Sequence, residues 1–166
     1  MADANEWEHL GSADLSGGAA DDVDVTGLDI KKLLQVLMLT TSTGSSVDMK
    51  IRFNADVGSL YARRRSLDGA SDVTNVSQDS IDIEVGGFDV KFAVMDVVNI
   101  NGEEKLAIIH VVEGGSTGAG NAPSRVEVVG KYVPSPLTDD IDEVNLHNGA
   151  AGTYDTESSV DVAGAD

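Results

Sequence analysis

The chain has no cysteine, which excludes disulfides, thiolate metal sites and thiol catalysis together. Aromatic residues are scarce, at 4% of the 166 residues. A core must therefore be built from Val, Ile and Leu, which suit strands. The longest apolar run, Leu33 to Leu39, contains Gln35 and falls far short of the ~20 residues of a membrane helix. Membrane insertion is not expected. Met1 to Glu6 lack the basic region and apolar stretch of a secretion signal, and residues 1–6 read as a flexible acidic N-terminus.

Positive charge is the other scarcity. Eleven Lys and Arg face 29 Asp and Glu, for a net charge of −18, and no base precedes Lys31 or follows Lys131. Such a field repels phosphates, so nucleic acid is not an expected partner. High charge with few aromatics can also mark a disordered chain, but regular apolar alternation through the middle of the sequence argues for a fold. Asp outnumbers Glu, Lys is rare, and Ala, Gly, Ser, Thr and Val fill much of the remainder. This is the composition expected of a protein from brine or a high-salt cytoplasm. Crowded carboxylates there are screened over a Debye length of about 3 Å in molar salt.

Catalytic signatures are missing as well. His9, His110 and His147 are far apart, with no HxH or HxxxH pair, and read as ordinary strand or surface histidines. No Gly-x-Ser-x-Gly elbow leads into a helix. Gly114 to Gly120 resembles a phosphate loop only in its glycines, since no Lys-Ser/Thr follows. It reads as an exposed loop. A non-enzymatic protein with no cofactor is expected.

What is present is alternation. Met49, Ile51 and Phe53 alternate with Asp48, Lys50, Arg52 and Asn54, and the strand ends in the turn formers Asn54-Ala55-Asp56-Val57-Gly58 before Leu60-Tyr61. Short alternations around Trp7 to Leu15 predict a first edge strand, and Val23 and Val25 a second strand. Leu28 to Leu39 fits both periods: Ile30, Leu33, Leu34 and Leu37 have helical spacing, while Leu34, Val36 and Met38 share a strand face. Its setting among short turns favours a strand over Lys32 to Thr40. Leu67 to Ser77 reads as a polar loop. Gly86-Gly87 between Ile81–Val85 and Phe88–Val94 predicts a hairpin, and Asn101-Gly102 before Leu106–Val112 predicts another. Further strands are expected at Arg125–Tyr132, ended by Pro134 and Pro136, then around Ile141–Leu146 and at Ser159–Ala163. The sum is an all-β, antiparallel sandwich or barrel of about 8–10 strands, a single domain over residues 7–164.

Two clusters are candidate sites. Arg63-Arg64-Arg65 is the densest basic run; its guanidinium groups either pair with the chain's own acids or meet an acidic partner. Asn54 with Asp56, and Asp139, Asp140, Asp142 and Glu143, are the oxygen donors that calcium would use, although EF-hand spacing is absent.

The segment Arg52-Phe53-Asn54-Ala55-Asp56-Val57-Gly58-Ser59-Leu60-Tyr61 resembles the R-F-N-x-D-x-G-x-x-Y motif of jelly-roll-like domains in tailed-virus fibre, tail and head-decoration proteins. Val98-Asn99-Ile100 with Lys105, and the closing stretch Ala151 to Val162, are similar to that family more loosely. Leu60 stands where Asn is usual, and Ala163-Gly164 replaces a fuller closing strand. The resemblance implies a jelly-roll-like sandwich and a virion role as capsid turret, spike, decoration or tail-fibre module. Arg52, Phe53, Asn54, Asp56, Gly58 and Tyr61 would be its structural motif. Homo-oligomers, trimers foremost, and contacts with other virion proteins are the implied partnerships. With the acidity, it implies a virus of halophilic archaea, assembled in the host cytoplasm and exposed to high-salt medium.

The alternative is a carbohydrate-binding adhesin that engages host glycans. It needs an exposed aromatic platform, for which Trp7, Tyr61, Tyr132 and Tyr154 are the candidates.

Salt adaptation is directly measurable: the melting transition is expected to rise between dilute buffer and molar KCl, and an unchanged transition would refute it.

Overall fold

The computed structural model describes residues 6–42, 46–84, 90–115 and 118–166. Twelve strands run in chain order: β1 (Glu8–Asp14), β2 (Asp22–Thr26), β3 (Leu33–Thr40), β4 (Met49–Phe53), β5 (Tyr61–Leu67), β6 (Val73–Gln78), β7 (Ile81–Glu84), β8 (Lys91–Val98), β9 (Lys105–Glu113), β10 (Ser124–Tyr132), β11 (Glu143–His147) and β12 (Ser159–Ala165). No helix occurs among the described residues. Two antiparallel sheets form: an eight-stranded one ordered β1-β12-β3-β8-β9-β10-β5-β6, and a four-stranded one ordered β2-β11-β4-β7.

The pairing is nested. β1 pairs with β12, β2 with β11, β3 with β8 and β4 with β7, each antiparallel. Pairs β12·β3 and β11·β4 join these units within their sheets. First with last, second with second-to-last, is the connectivity of a jelly roll. The count of twelve exceeds the expected 8–10, and two strand pairs are inserted into the nested set. β5–β6 lies between β4 and β7, β9–β10 lies between β8 and β11, and all four widen the large sheet beyond β8.

Side-chain alternation places the core between the sheets. On β3, Leu34, Val36 and Met38 are buried, whereas Leu33 and Leu37 are exposed. Burial every second residue settles the ambiguous stretch as a strand; a helix would have turned Ile30, Leu33 and Leu37 inward, and all three face solvent. Opposite them, Val23, Val25, Ile51, Phe53, Val144 and Leu146 of the small sheet are buried.

Two expectations are corrected. The Gly86-Gly87 hairpin does not exist as a pair: β7 pairs with β4 in the small sheet and β8 with β3 and β9 in the large one. The connection is a crossing between sheets, and residues 85–89 of it lie outside the described residues. The polar stretch Leu67 to Ser77 is not wholly loop, because Val73–Gln78 forms edge strand β6 against β5. The Asn101-Gly102 turn does join a true hairpin, β8·β9, with Gly102 at φ 79°.

The large sheet's outer face breaks the usual rule. An antiparallel sheet with one solvated face alternates apolar-in and polar-out. Here Leu37, Phe92, Leu106, Ile108, Val112 and Val129 point outward and are 41–54% exposed.

Candidate functional site: the corner from Arg52 to Tyr61

Between β4 and β5 the chain leaves the small sheet and enters the large one. A corner of this kind takes backbone groups out of any ladder, so side chains must satisfy those that stay buried. Asn54 and Ala55 both adopt left-handed backbone, at φ 56° and 53°. Asn tolerates that region, whereas Ala bears roughly 1–2 kcal/mol of steric cost there.

Each polar motif residue is engaged. The Tyr61 hydroxyl accepts from the Phe53 N–H at 2.9 Å, and the Phe53 and Asp56 carbonyls each lie 3.2 Å from it as acceptors for its proton. Asn54 Oδ1 accepts from the N–H groups of Asp142 and Glu143 at 3.1 and 3.3 Å, and its Nδ2 donates to the Asp140 carbonyl at 2.9 Å. Asp56 Oδ1 accepts from Gly58 N–H at 2.9 Å, closing a local turn, and its Oδ2 accepts from the Tyr132 hydroxyl at 3.2 Å. A side chain at position 58 would sit 3.2 Å from Asp56 Oδ1, which accounts for Gly58. Arg52 reaches away from the corner to the β6–β7 turn, with Nη2 3.1 Å from Asp79 Oδ2. Beneath the turn, Tyr61 and Tyr132 stack with ring centroids 4.9 Å apart, and Phe53 lies 5.6 Å from Tyr132.

A second tier extends this network. Lys105, fully buried, donates from Nζ to the Ile100 carbonyl at 2.7 Å and pairs with Asp140 Oδ1 at 3.1 Å. Asn101 Nδ2 donates to Asp140 Oδ2 at 3.0 Å. Asn99 accepts from Ile141 N–H at 2.9 Å and donates to the Lys31 and Ile141 carbonyls. The corner, the β8–β9 turn and residues 138–143 are thus one hydrogen-bonded body.

The calcium candidates divide accordingly. Asp140 is committed to Lys105 and Asn101. Burial, and then the charges of Asp24 and Asp142, push the Glu143 carboxyl up from its ordinary value. No group of three His, Asp or Glu able to hold a metal ion occurs among the described residues.

The arginine run separates by strand alternation. Arg63 is buried and reaches Asp82 of the opposite sheet at 3.5 Å; Arg64 is exposed, 3.6 Å from Asp72; Arg65 is half-buried. Two of the three guanidinium groups therefore sit beside the chain's own acids. The histidines stay apart, on β1, β9 and β11. His9 contacts Asp161, and His147 Nδ1 lies 2.8 Å from Asp22. Burial works to raise the Asp22 carboxyl, but hydrogen bonds from His147 and Asn145 hold it below its usual value.

Sequence reasoning missed several positions. Tyr154 and Asn148 clamp the other end of β4: Asn148 Oδ1 accepts from Asp48 N–H at 2.9 Å, and the Tyr154 hydroxyl meets the carbonyls of Asp48 and His147. Lys91 is buried at the end of β8, donating to the Val47 carbonyl at 3.1 Å. A Lys at an inward strand position was the one available signal. The proposed aromatic platform also resolves: Tyr61, Tyr132 and Tyr154 are buried, while Trp7 is exposed.

No protein-family model matches this chain, and no curated protein matches it in sequence.

Two measurements test the corner. Tyr61→Phe leaves the buried Phe53 N–H unsatisfied and is expected to cost about 1–3 kcal/mol in denaturant unfolding; a loss within error would show that the hydroxyl is dispensable. The second is a tyrosinate titration. Burial first, then neighbouring carboxylates, raises the phenol pKa of Tyr132 and Tyr154, and burial does so for Tyr61. The fold favours the neutral phenol, so this contribution to stability is complete below the free value of about 10 and is lost as pH rises above it. Absorbance should show no tyrosine ionising normally near pH 10, and all three ionising together as the protein unfolds. One tyrosine titrating normally in the folded protein would contradict the burial.

Proposed function

We propose that this chain is a non-enzymatic virion structural protein, a turret, spike, decoration or tail-fibre module of a tailed virus of halophilic archaea. The observation that carries this reading is the use made of the Arg52–Tyr61 segment. Its side chains cap backbone groups and tie one sheet to the other, and none is left converging on a cleft as chemistry would need. That use agrees with the motif's resemblance to structural virion domains. The nested pairing agrees with a fold that viral capsid proteins share with lectins, and the net charge of −18 with exposure to brine.

Assembly as a homo-oligomer, a trimer foremost, belongs to the same proposal. Glycan recognition receives less support, because the tyrosines that would form its platform lie in the core.

The test is localisation. An antibody against this chain should label the exterior of purified particles, on capsid or tail, with the chain present in their protein complement. Absence from purified particles would overturn the proposal.

A further inference from the structure

We propose that the outer face of the eight-stranded sheet is an interface with a second copy of this chain. The inference rests on the structural role proposed above and locates the self-association that the role requires.

Contiguity comes from the strand register. Val112 lies opposite Phe92, which lies opposite Leu39; Ile108 lies opposite Val129; Leu106 lies opposite Val98, which lies opposite Leu33. These side chains form one apolar field across β3, β8, β9 and β10. Leu33, Leu37, Phe92, Leu106, Ile108, Val112 and Val129, 41–54% exposed, present on the order of 600 Å² of apolar surface, at or beyond the ~300–600 Å² of the largest patch on a typical monomer. With the polar residues between them, the face reaches the ~800 Å² per partner of a standard stable interface.

Charge favours a second copy over another occupant. The acids among the outward positions of these four strands are Asp96 and Glu127, in a chain carrying 29 acids. The bases at and around the face each stand beside an acid, and Asp96 has an amide donor. Gln35 Nε2 donates to Asp96 at 3.0 Å, Arg125 lies 3.9 Å from Glu127, Lys131 3.0 Å from Glu104 and Arg64 3.6 Å from Asp72. A basic partner would find its attraction elsewhere on the molecule. Two copies with net charge −18 repel each other over most approaches, but here they meet surfaces that are largely apolar and carry few acids. Sheets commonly pack face to face in this way, about 10 Å apart.

Trp7, the sole tryptophan, borders the groove that Leu33, Val98, Leu106 and Val129 line. Its emission therefore reports on covering of the face. Sedimentation equilibrium and tryptophan fluorescence in molar KCl, over a dilution series, should show an oligomer whose emission moves to the red as it dissociates. Ile108→Glu points into solvent in the monomer, so it should keep the wild-type circular dichroism and melting transition. It should also weaken association by roughly 100-fold or more, as loss of a central interface residue does. Leu137→Glu, on an exposed loop off the face, should leave the mass unchanged. A wild-type protein that stays monomeric at tens of micromolar, or an Ile108→Glu protein that keeps the wild-type mass, overturns the interface. A monomer that nonetheless labels particles would refute this inference while leaving the virion role intact.

Discussion

A backbone N–H or C=O that is buried without a partner costs about 1–3 kcal/mol, and a jelly roll creates such groups wherever the chain passes from one sheet to the other. The most characteristic residues of this protein sit at those passages. At the end of β4, Tyr61 and Asn54 satisfy the groups released as the chain turns; at its start, Asn148 and Tyr154 do the same. Lys91 serves the β3–β4 passage through the Val47 carbonyl, Asn99 the β2–β3 and β10–β11 passages through Lys31 and Ile141, and Lys105 the β10–β11 passage through Asp140. The polar groups of these side chains thus reach backbone that no ladder satisfies. Small aliphatic residues fill the space between.

This division explains what could be read from the sequence. Strand alternation is local: a period of two survives in β2, β3, β4, β8 and β9, and it identifies which residues face inward. Sheet membership is not local. Ile81–Glu84 and Lys91–Val98 look like two arms of a hairpin because Gly86-Gly87 separates two alternating runs, yet their partners are β4 and β3, dozens of residues away. β6 is hidden in the sequence for another reason. It is an edge strand with Thr74, Asn75, Ser77 and Gln78 in its short span, and an edge needs no apolar face.

The candidate site was legible as a segment and illegible as a mechanism. Asp56 and Asp140 belong to acidic clusters that suggest cation ligands in sequence. In the fold, one accepts from Gly58 and Tyr132 and the other from Lys105 and Asn101. Those donors come from the β4–β5 corner, the β8–β9 turn and strands β9 and β10, and no spacing rule brings them together. The composition had a similar blind spot. It showed a chain rich in acids but not that the outward positions of four adjacent strands carry only two of them, because alternation hides outward apolar residues among inward ones.

Nested pairing also sets the order in which this fold can be completed. Glu8 pairs with Gly164, and β12 is the shared neighbour of β1 and β3. Until β12 has been synthesised, the two strands it separates have unpaired edges and their half of the core lacks Val160 and Val162. Closing loops of that length carries an entropy cost that is met before the contacts repay it. During synthesis β1 therefore waits for β12. During that wait, the two exposed edges are where an incomplete molecule would join another.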